Sequence, residues 1–453
     1  MNTNNDIKGY PWRFIARIVI EADTPLALGN GEKDIMTDAL VAKDMNGLPY
    51  IPGSSIAGVI RHALGDDTDN KNSIFGFHKG KELAGSKIMF SDAVMIGKEG
   101  KALDGIQVLD FSDDFYNHYA NLPIRQHVCI NEYGTAKDGG KFDGQVVYKG
   151  TRFVFEIELV SKKDDGEQFA QVIDKISYST FRLGGGTRNG FGKIKVISIQ
   201  QSNYNLTKKE QFDAYRLKSS CLSDEWKIEK NDLKEKESEG WTKYEITLQP
   251  KDFFLFGSGM GDEDADDTQV VESIITWEKD KFDKDREKPR FKDNCILIPG
   301  SSVKGALAHR TAYYWNKENN HFIRKENEHY VIDKDAKNAD QCPAVIAIFG
   351  SSDKDAPQRG NIIIDDMIAE PAPSKLFNHV KIDRFTGGAV AGALFTEKVT
   401  DARNLRFPLR LSVKVDEEYR KVFESALNDL RNGLLPLGGS TNRGSGMFNE
   451  VKE

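Results

Sequence analysis

Two glycine-rich segments carry residues whose types and spacing suit anion binding. GGGTRNGFGK runs from Gly184 to Lys193, and GGSTNRGSG from Gly438 to Gly446. Successive glycines such as Gly185, Gly186, Gly438 and Gly439 expose backbone N–H groups with no side chain in the way, and such runs cradle phosphate oxygens. Arg188 and Arg443 would add forked donors and Lys193 a point charge. The plain alternative is a hairpin whose glycines serve tight turning; recurrence in two places favours phosphate. A second pair of segments has related chemistry. YIPGSSIAGVIRH spans Tyr50–His62 and LIPGSSVKGALAH spans Leu297–His309. Ser54 and Ser55, or Ser301 and Ser302, stand where a helical pattern begins, and the unbonded N–H groups of a helix start attract anions. Arg61 and His62, or Lys304 and Arg310, follow within one to three turns. Here the alternative is capping by the serines, which needs no ligand.

The elements that must position these segments recur in one order. Pro52 and Pro299 stand 247 positions apart, and Gly185 and Gly438 stand 253 apart. That period is domain-sized, too long for a solenoid unit. Each half opens on an alternating strand pattern and a glycine turn (WRFIARIVIEADTPLALGNG; YEITLQPKDFFLFGSGMG) and then gives IPGSS and a helix. An FG pair follows (SIFGF; AIFG), then an acidic strand end (SKIMFSDA; GNIIIDDM), a turn-rich hairpin, a strand, a helix and the glycine loop. The reading is an α+β chain with a first domain over 1–200, a charged linker with one short helix over 201–240 and a second domain over 241–453.

Composition bounds the partners. With 70 acidic and 63 basic residues the formal charge is -7, which excludes a uniformly basic nucleic-acid coat but not a local basic groove. The four cysteines, Cys129, Cys221, Cys295 and Cys342, form no C-x-x-C pair, so a zinc knuckle is not expected and free thiols in a reducing cytoplasm are. No apolar run approaches the roughly 18 residues that span a bilayer, so no membrane partner is expected.

This set of motifs resembles the RAMP superfamily, the repeat-associated proteins of CRISPR systems, and within it the backbone subunits of type III effector complexes. IPGSS with its helix, the FG and S-x-x-x-F-S-D-A elements, the R-Q and D-R-x-T-x-x-A hairpins and the glycine loops carry the resemblance, which covers both halves apart from the linker. It implies two tandem ferredoxin-like, RRM-like domains with hairpin (thumb) insertions, a fusion similar to the double-unit subunit of type III-D systems. It implies a guide RNA, a complementary target RNA, and other CRISPR effector subunits including a large signalling, polymerase-like one. The RNA-contacting positions it implies add Arg125, Asn189 and Arg384 to those above. Thumbs are expected at Arg125–Val146 and His379–Leu394, with apolar or aromatic tips (Ile130 and Tyr133; Phe385, Val390 and Leu394) that can wedge into a base stack.

The resemblance also implies a metal-dependent endoribonuclease whose loop aspartate cuts near each thumb, with Mg2+ as the divalent ion. Its motif places that aspartate shortly before the run D-x-x-G-x-P-x-I-P-G-S-S, which selects Asp38, also as the metal-binding position, over Asp34 and the turn residue Asp44. The second half departs from the pattern. Matching VVESIITW to MTDALVAK puts Glu272 opposite Asp38, in a loop longer by about 13 residues before IPGSS, with Asp266 and Asp267 just upstream. Cutting there through Asp266, Asp267 or Glu272, or loss of cutting, are both open. So is a backbone subunit that binds guide and target and cuts neither. A guide-processing endonuclease and a duplicated domain without RNA fit less well. His127 and His379 recur as the histidine of an HV pair, and packing is the favoured role for them.

Overall fold

The computed structural model describes residues 9–35, 37–65, 68–131, 134–279, 287–326, 329–333 and 335–452. The first half contains β1 (Trp12–Ala22), α1 (Gly53–Ala63), β2 (Ile88–Phe90), β3 (Ile124–Ile130), β4 (Ala136–Gln145), β5 (Arg152–Ser161), α2 (Gly166–Asp174) and β6 (Ile194–Asn205). The second contains β7 (Thr242–Pro250), β8 (Val271–Lys279), β9 (Glu287–Ile298), α3 (Gly300–Glu318), β10 (Ile362–Ile364), β11 (Ser374–Ile382), β12 (Ala389–Thr400), β13 (Phe407–Val413), α4 (Glu417–Arg431) and β14 (Phe448–Glu450).

Each half is an α+β unit on an antiparallel sheet. The order is β2-β5-β1-β6 in the first and β10-β13-β7-β14 in the second, so the opening strand is central in both. Alternation makes one face of β1 apolar, and Phe14, Ala16, Ile18 and Ile20 pack with Ile56 and Ile60 of α1 and Phe169, Val172 and Ile173 of α2. Ile246 and Leu248 of β7 do the same against Val303 and Leu307 of α3 and Val422, Phe423 and Leu427 of α4. Hairpins β3–β4 and β11–β12 stand outside these sheets, at the two places where thumbs are expected, and are called thumbs for that position. Their exposed apolar residues include Val128 and Ile130 in the first, and Val380, Ile382, Leu394 and the fully exposed Phe385 in the second. Tyr133 lies outside the described residues.

Residues 201–240 do not hang between the halves. β6 continues to Asn205, paired with Trp12. A helix follows at Lys209–Leu217, and Trp226 is buried with Ile15 and Tyr204 on the outer face of the first sheet. The hairpin β8–β9 is a lengthened form of the short first-half turn closed by the Lys43–Pro49 bridge, and it crosses to the first half. Ile275 joins the first core, the Trp277 indole donates to the Gly150 carbonyl at 2.8 Å, and Phe291 stacks on His118 with ring centres 3.8 Å apart.

Candidate functional site

The loop that carries Asp38 is built twice in one hydrogen-bond pattern. The Thr37 amide donates to Asp34, the Asn30 amide to the Leu40 carbonyl, and the Ala42 amide to the Leu28 carbonyl. In the second half the Ala265 amide donates to Asp262, Ser258 to Thr268 and Val270 to Phe256. Every pair is 228 positions apart, so Asp266, not Glu272, stands opposite Asp38. The thumbs agree. Asp38 accepts from the Asp143 amide of β4 at 3.2 Å, and Asp266 from the Thr396 amide of β12 at 2.8 Å. Both carboxylates are exposed at the foot of a thumb. The second-half loop is not longer; the extra 19 residues, the difference between offsets of 247 and 228, lengthen the hairpin that Lys43–Pro49 closes in the first half and Val271–Ile296 in the second.

Glu272 corrects the sequence expectation in a second way. It is 5% exposed and grips Arg125 through two contacts of 2.8 Å, while Arg125 also reaches Asp366 at 3.0 Å. Arg125 and Glu272 are therefore joined to each other across the halves and present nothing to a ligand. Lys193 is likewise buried, within 3.4 Å of Asp23 and 3.5 Å of Asp365, and Arg182 holds Asp365 at 2.8 Å. The buried end of the first glycine loop thus seats on the acidic pair of the second half. Asp267 is half-buried; burial, and then the nearby Glu397, push its carboxyl above the usual range.

The IPGSS helices start differently from the expectation. No serine side chain caps either one. The Gly53 amide donates to Asp92 at 2.8 Å, and the Gly300 amide to Asp366 at 2.7 Å. The acidic strand end of each half thus supplies the anion its own helix start attracts. Glycine is needed there because a Cβ at Gly53 would lie 2.6 Å from the Phe90 carbonyl oxygen, and one at Gly300 2.6 Å from that of Ile364. Ser54 and Ser55 are left exposed, and Ser301 and Ser302 half-exposed, on the first turns.

The glycine loops divide in two. Gly184, Gly185, Gly186, Gly438, Gly439 and Arg443 are exposed, whereas Gly190–Lys193 and Ser445–Gly446 are buried. Gly184 (φ 84°) and Gly438 (φ 87°) are equivalent, 254 positions apart, since the next amides, of Gly185 and Gly439, donate to the carbonyls of Ala27 and Leu255 at 2.7 Å. Among the described residues the amides of Gly184, Gly186, Thr187 and Arg188 make no hydrogen bond. In the second loop Arg443 and Ser440 lean on Glu397, at 3.3 and 2.7 Å, and Glu397 also accepts from His379 at 2.9 Å. Arg61 donates to the Gly76 carbonyl of the FG pair at 3.1 Å, and Arg384 is exposed near the tip of the second thumb.

Arg188, Lys304 and Arg359 gather where the first glycine loop meets the start of α3. Lys304 touches the Asn189 side-chain oxygen at 3.4 Å, and Arg188 donates to the Gly360 carbonyl at 3.0 Å. Arg359 shares a hydrogen bond of 2.9 Å with His62 of α1. Among the described residues none of the three cations has a carboxylate within ion-pair distance. Burial, and then Arg359 and Arg182, bring the Arg188 guanidinium down to about 10; burial, and then Arg188, lower the Lys304 ammonium. Arg359 was not among the RNA-contacting positions expected from sequence; no motif marks it.

A clustered set able to coordinate a metal ion is present, at His321, Asp333 and Asp335. Sequence reading missed it, because its residues lie in an insertion with no counterpart in the first half. Among the described residues neither Asp38 nor Asp266 belongs to a group of three such ligands. No helix among the described residues is long and apolar enough to cross a membrane.

The family model described as "RAMP superfamily" matches residues 19–195 and 232–449. The chain is also similar to the CRISPR system Cms endoribonuclease Csm3 of Methanocaldococcus jannaschii, 27% identical over 224 residues, which is 44% of this chain and 82% of that protein. One such relative thus covers about one half of the duplicated chain.

Proposed function

The chain belongs to the RAMP superfamily, and from that premise we propose that it is a double backbone subunit of a type III, CRISPR-type effector complex. In this reading it holds a guide RNA and cuts the paired target RNA at two places. The observation that carries it is the cation group Arg188, Lys304 and Arg359. Three positive side chains crowd together with no carboxylate partner among the described residues, beside open amides of the glycine loop, and a nucleic-acid phosphate is the ligand that such a group suits. The strand order of both halves, with helices after the first and third core strands, supports the finer reading of tandem ferredoxin-like domains. The double-unit resemblance to type III-D systems is supported by the two equivalent loops in one chain.

Cutting is assigned to Asp38 and Asp266, which share loop, exposure and thumb contact. The donors around them are oxygens: Asp38 beside Asp143, and Asp266 beside Asp267. That set fits Mg2+, which is commonly held by one or two carboxylates plus phosphate oxygens. When bound, such an ion would stabilise charge on the scissile phosphate. The carboxylates themselves would place the ion or take the proton of the attacking 2'-hydroxyl.

The test is a reconstituted complex with a guide-matched target. Asp38→Ala should remove one product boundary and Asp266→Ala another, with target binding retained. Unchanged products from both variants would end the cleavage assignment. One observation favours the second reading, a subunit that binds without cutting: both carboxylates already hold a thumb amide. If wild-type complex binds target and leaves it whole, that reading stands.

A further inference from the structure

The group His321, Asp333 and Asp335 lies beyond the C-terminal end of α3. α3 has 19 residues, so it is about 28 Å long. Its first amide faces Asp366 at the seam between the halves, and His321 lies just beyond its other end. α1, its counterpart, stops after 11 residues. The group therefore belongs to an addition specific to the second half.

The neck of that addition is fixed on both sides to the end of α3. The His321 amide donates to the Asn316 carbonyl at 2.9 Å. The Asn316 side chain, 5% exposed, donates to the Lys337 carbonyl at 2.7 Å and accepts from the Lys337 amide at 2.9 Å. The Asp333 amide donates to the Phe322 carbonyl at 3.0 Å, and the Trp315 ring stacks on His321 with centres 5.4 Å apart. These bonds bring three ligand-type atoms within 4.8 Å of one another. His321 Nδ1 and Asp333 Oδ2 are 3.2 Å apart. A tetrahedral ion with bonds of about 2.0 Å needs ligand edges of about 3.3 Å. The other oxygen of Asp333 accepts from the Asp335 amide at 3.0 Å, which turns the Asp335 segment toward the same point. A simple histidine–aspartate hydrogen bond would account for two of the three residues but not for Asp335.

We propose that His321, Asp333 and Asp335 bind a divalent transition-metal ion that pins the neck of this insertion to the end of α3 and takes no part in RNA cutting. One imidazole with two carboxylates suits Zn2+ or Mn2+ better than Mg2+, which prefers oxygen alone. Water completes the coordination.

The experiment uses the full chain, stripped with chelator and titrated with Zn2+ by calorimetry, together with Asp335→Asn and His321→Gln. Wild type should take one equivalent and show a raised melting temperature with Zn2+. Each variant should bind at least tenfold more weakly and lose that rise. Asp335 is exposed, so its variant tests the site without burial effects. In the reconstituted complex both variants should keep the wild-type cleavage pattern. No saturable binding, or wild-type affinity in both variants, overturns the proposal. Loss of cleavage in Asp335→Asn overturns the separation from cutting.

Discussion

Arg125 and Glu272 meet through two parallel contacts of 2.8 Å, 147 positions apart in the chain and each 5% exposed. The pair joins the first thumb to the hairpin that is lengthened in the second half, and Asp366 closes the group. Removing the guanidinium strands two buried carboxylates. Arg125→Ala should therefore destabilise the chain by about 3–5 kcal/mol, the usual cost of breaking a buried pair from one side. Urea denaturation of variant and wild type checks this, and a loss below about 1 kcal/mol would mean the group is solvated.

Acid should weaken the same region through His127. Burial, and then the Arg125 charge, depress its imidazole from 6.5 to about 4. Below the unfolded value the unfolded chain binds the proton more readily, so stability is full above about pH 6.5 and falls as pH drops toward 4. His127→Gln should flatten part of that fall. Melting temperature against pH for both proteins shows it, and identical slopes between pH 6.5 and 4 would contradict it.

Asp92 supplies the carboxylate that receives the first amide of α1. Asp92→Ala should cost about 1 kcal/mol, the typical value for loss of a helix cap. Ser54→Ala and Ser55→Ala should cost less than half of that, because neither serine side chain caps the helix. Equal losses in the three variants would return the cap to the serines.

Much of the repeat was legible in sequence because its marks are local. The opening strand pattern, IPGSS with its helix and the glycine loops depend on residues a few positions apart. The partner of Asp38 is misplaced by the match of VVESIITW to MTDALVAK, which sets an offset of 234 that none of the shared loop hydrogen bonds keeps. Counting forward from GNG and GSG gives the constant offset of 228 and reaches Asp266. The role of Asp92 and Asp366 was hidden for another reason. They cap helices 39 and 66 positions upstream, and sequence shows the serines next to the helix rather than the carboxylate that folding brings there. Arg125, Lys193 and Glu272 read as open charges for the same reason, since burial across the halves leaves no local pattern.

Gly58 and Gly305 give the most direct test of where RNA lies. They are 247 positions apart, both exposed on the helix that follows IPGSS, and a Cβ at either would meet nothing within 4 Å. Neither has a left-handed backbone that would require glycine. In an exposed helix interior each costs about 1 kcal/mol against alanine. A residue that weakens its helix twice, with open space above it, fits close approach of a partner's backbone. Gly58→Ala and Gly305→Ala should therefore raise the stability of the free chain by about 0.5–1 kcal/mol each and lower its retention of guide RNA. Chemical denaturation reads the first effect and the RNA copurifying with the complex reads the second. Greater stability with undiminished RNA would move the strand off this helix face, while leaving the cation group at Arg188 and Lys304 as the remaining contact.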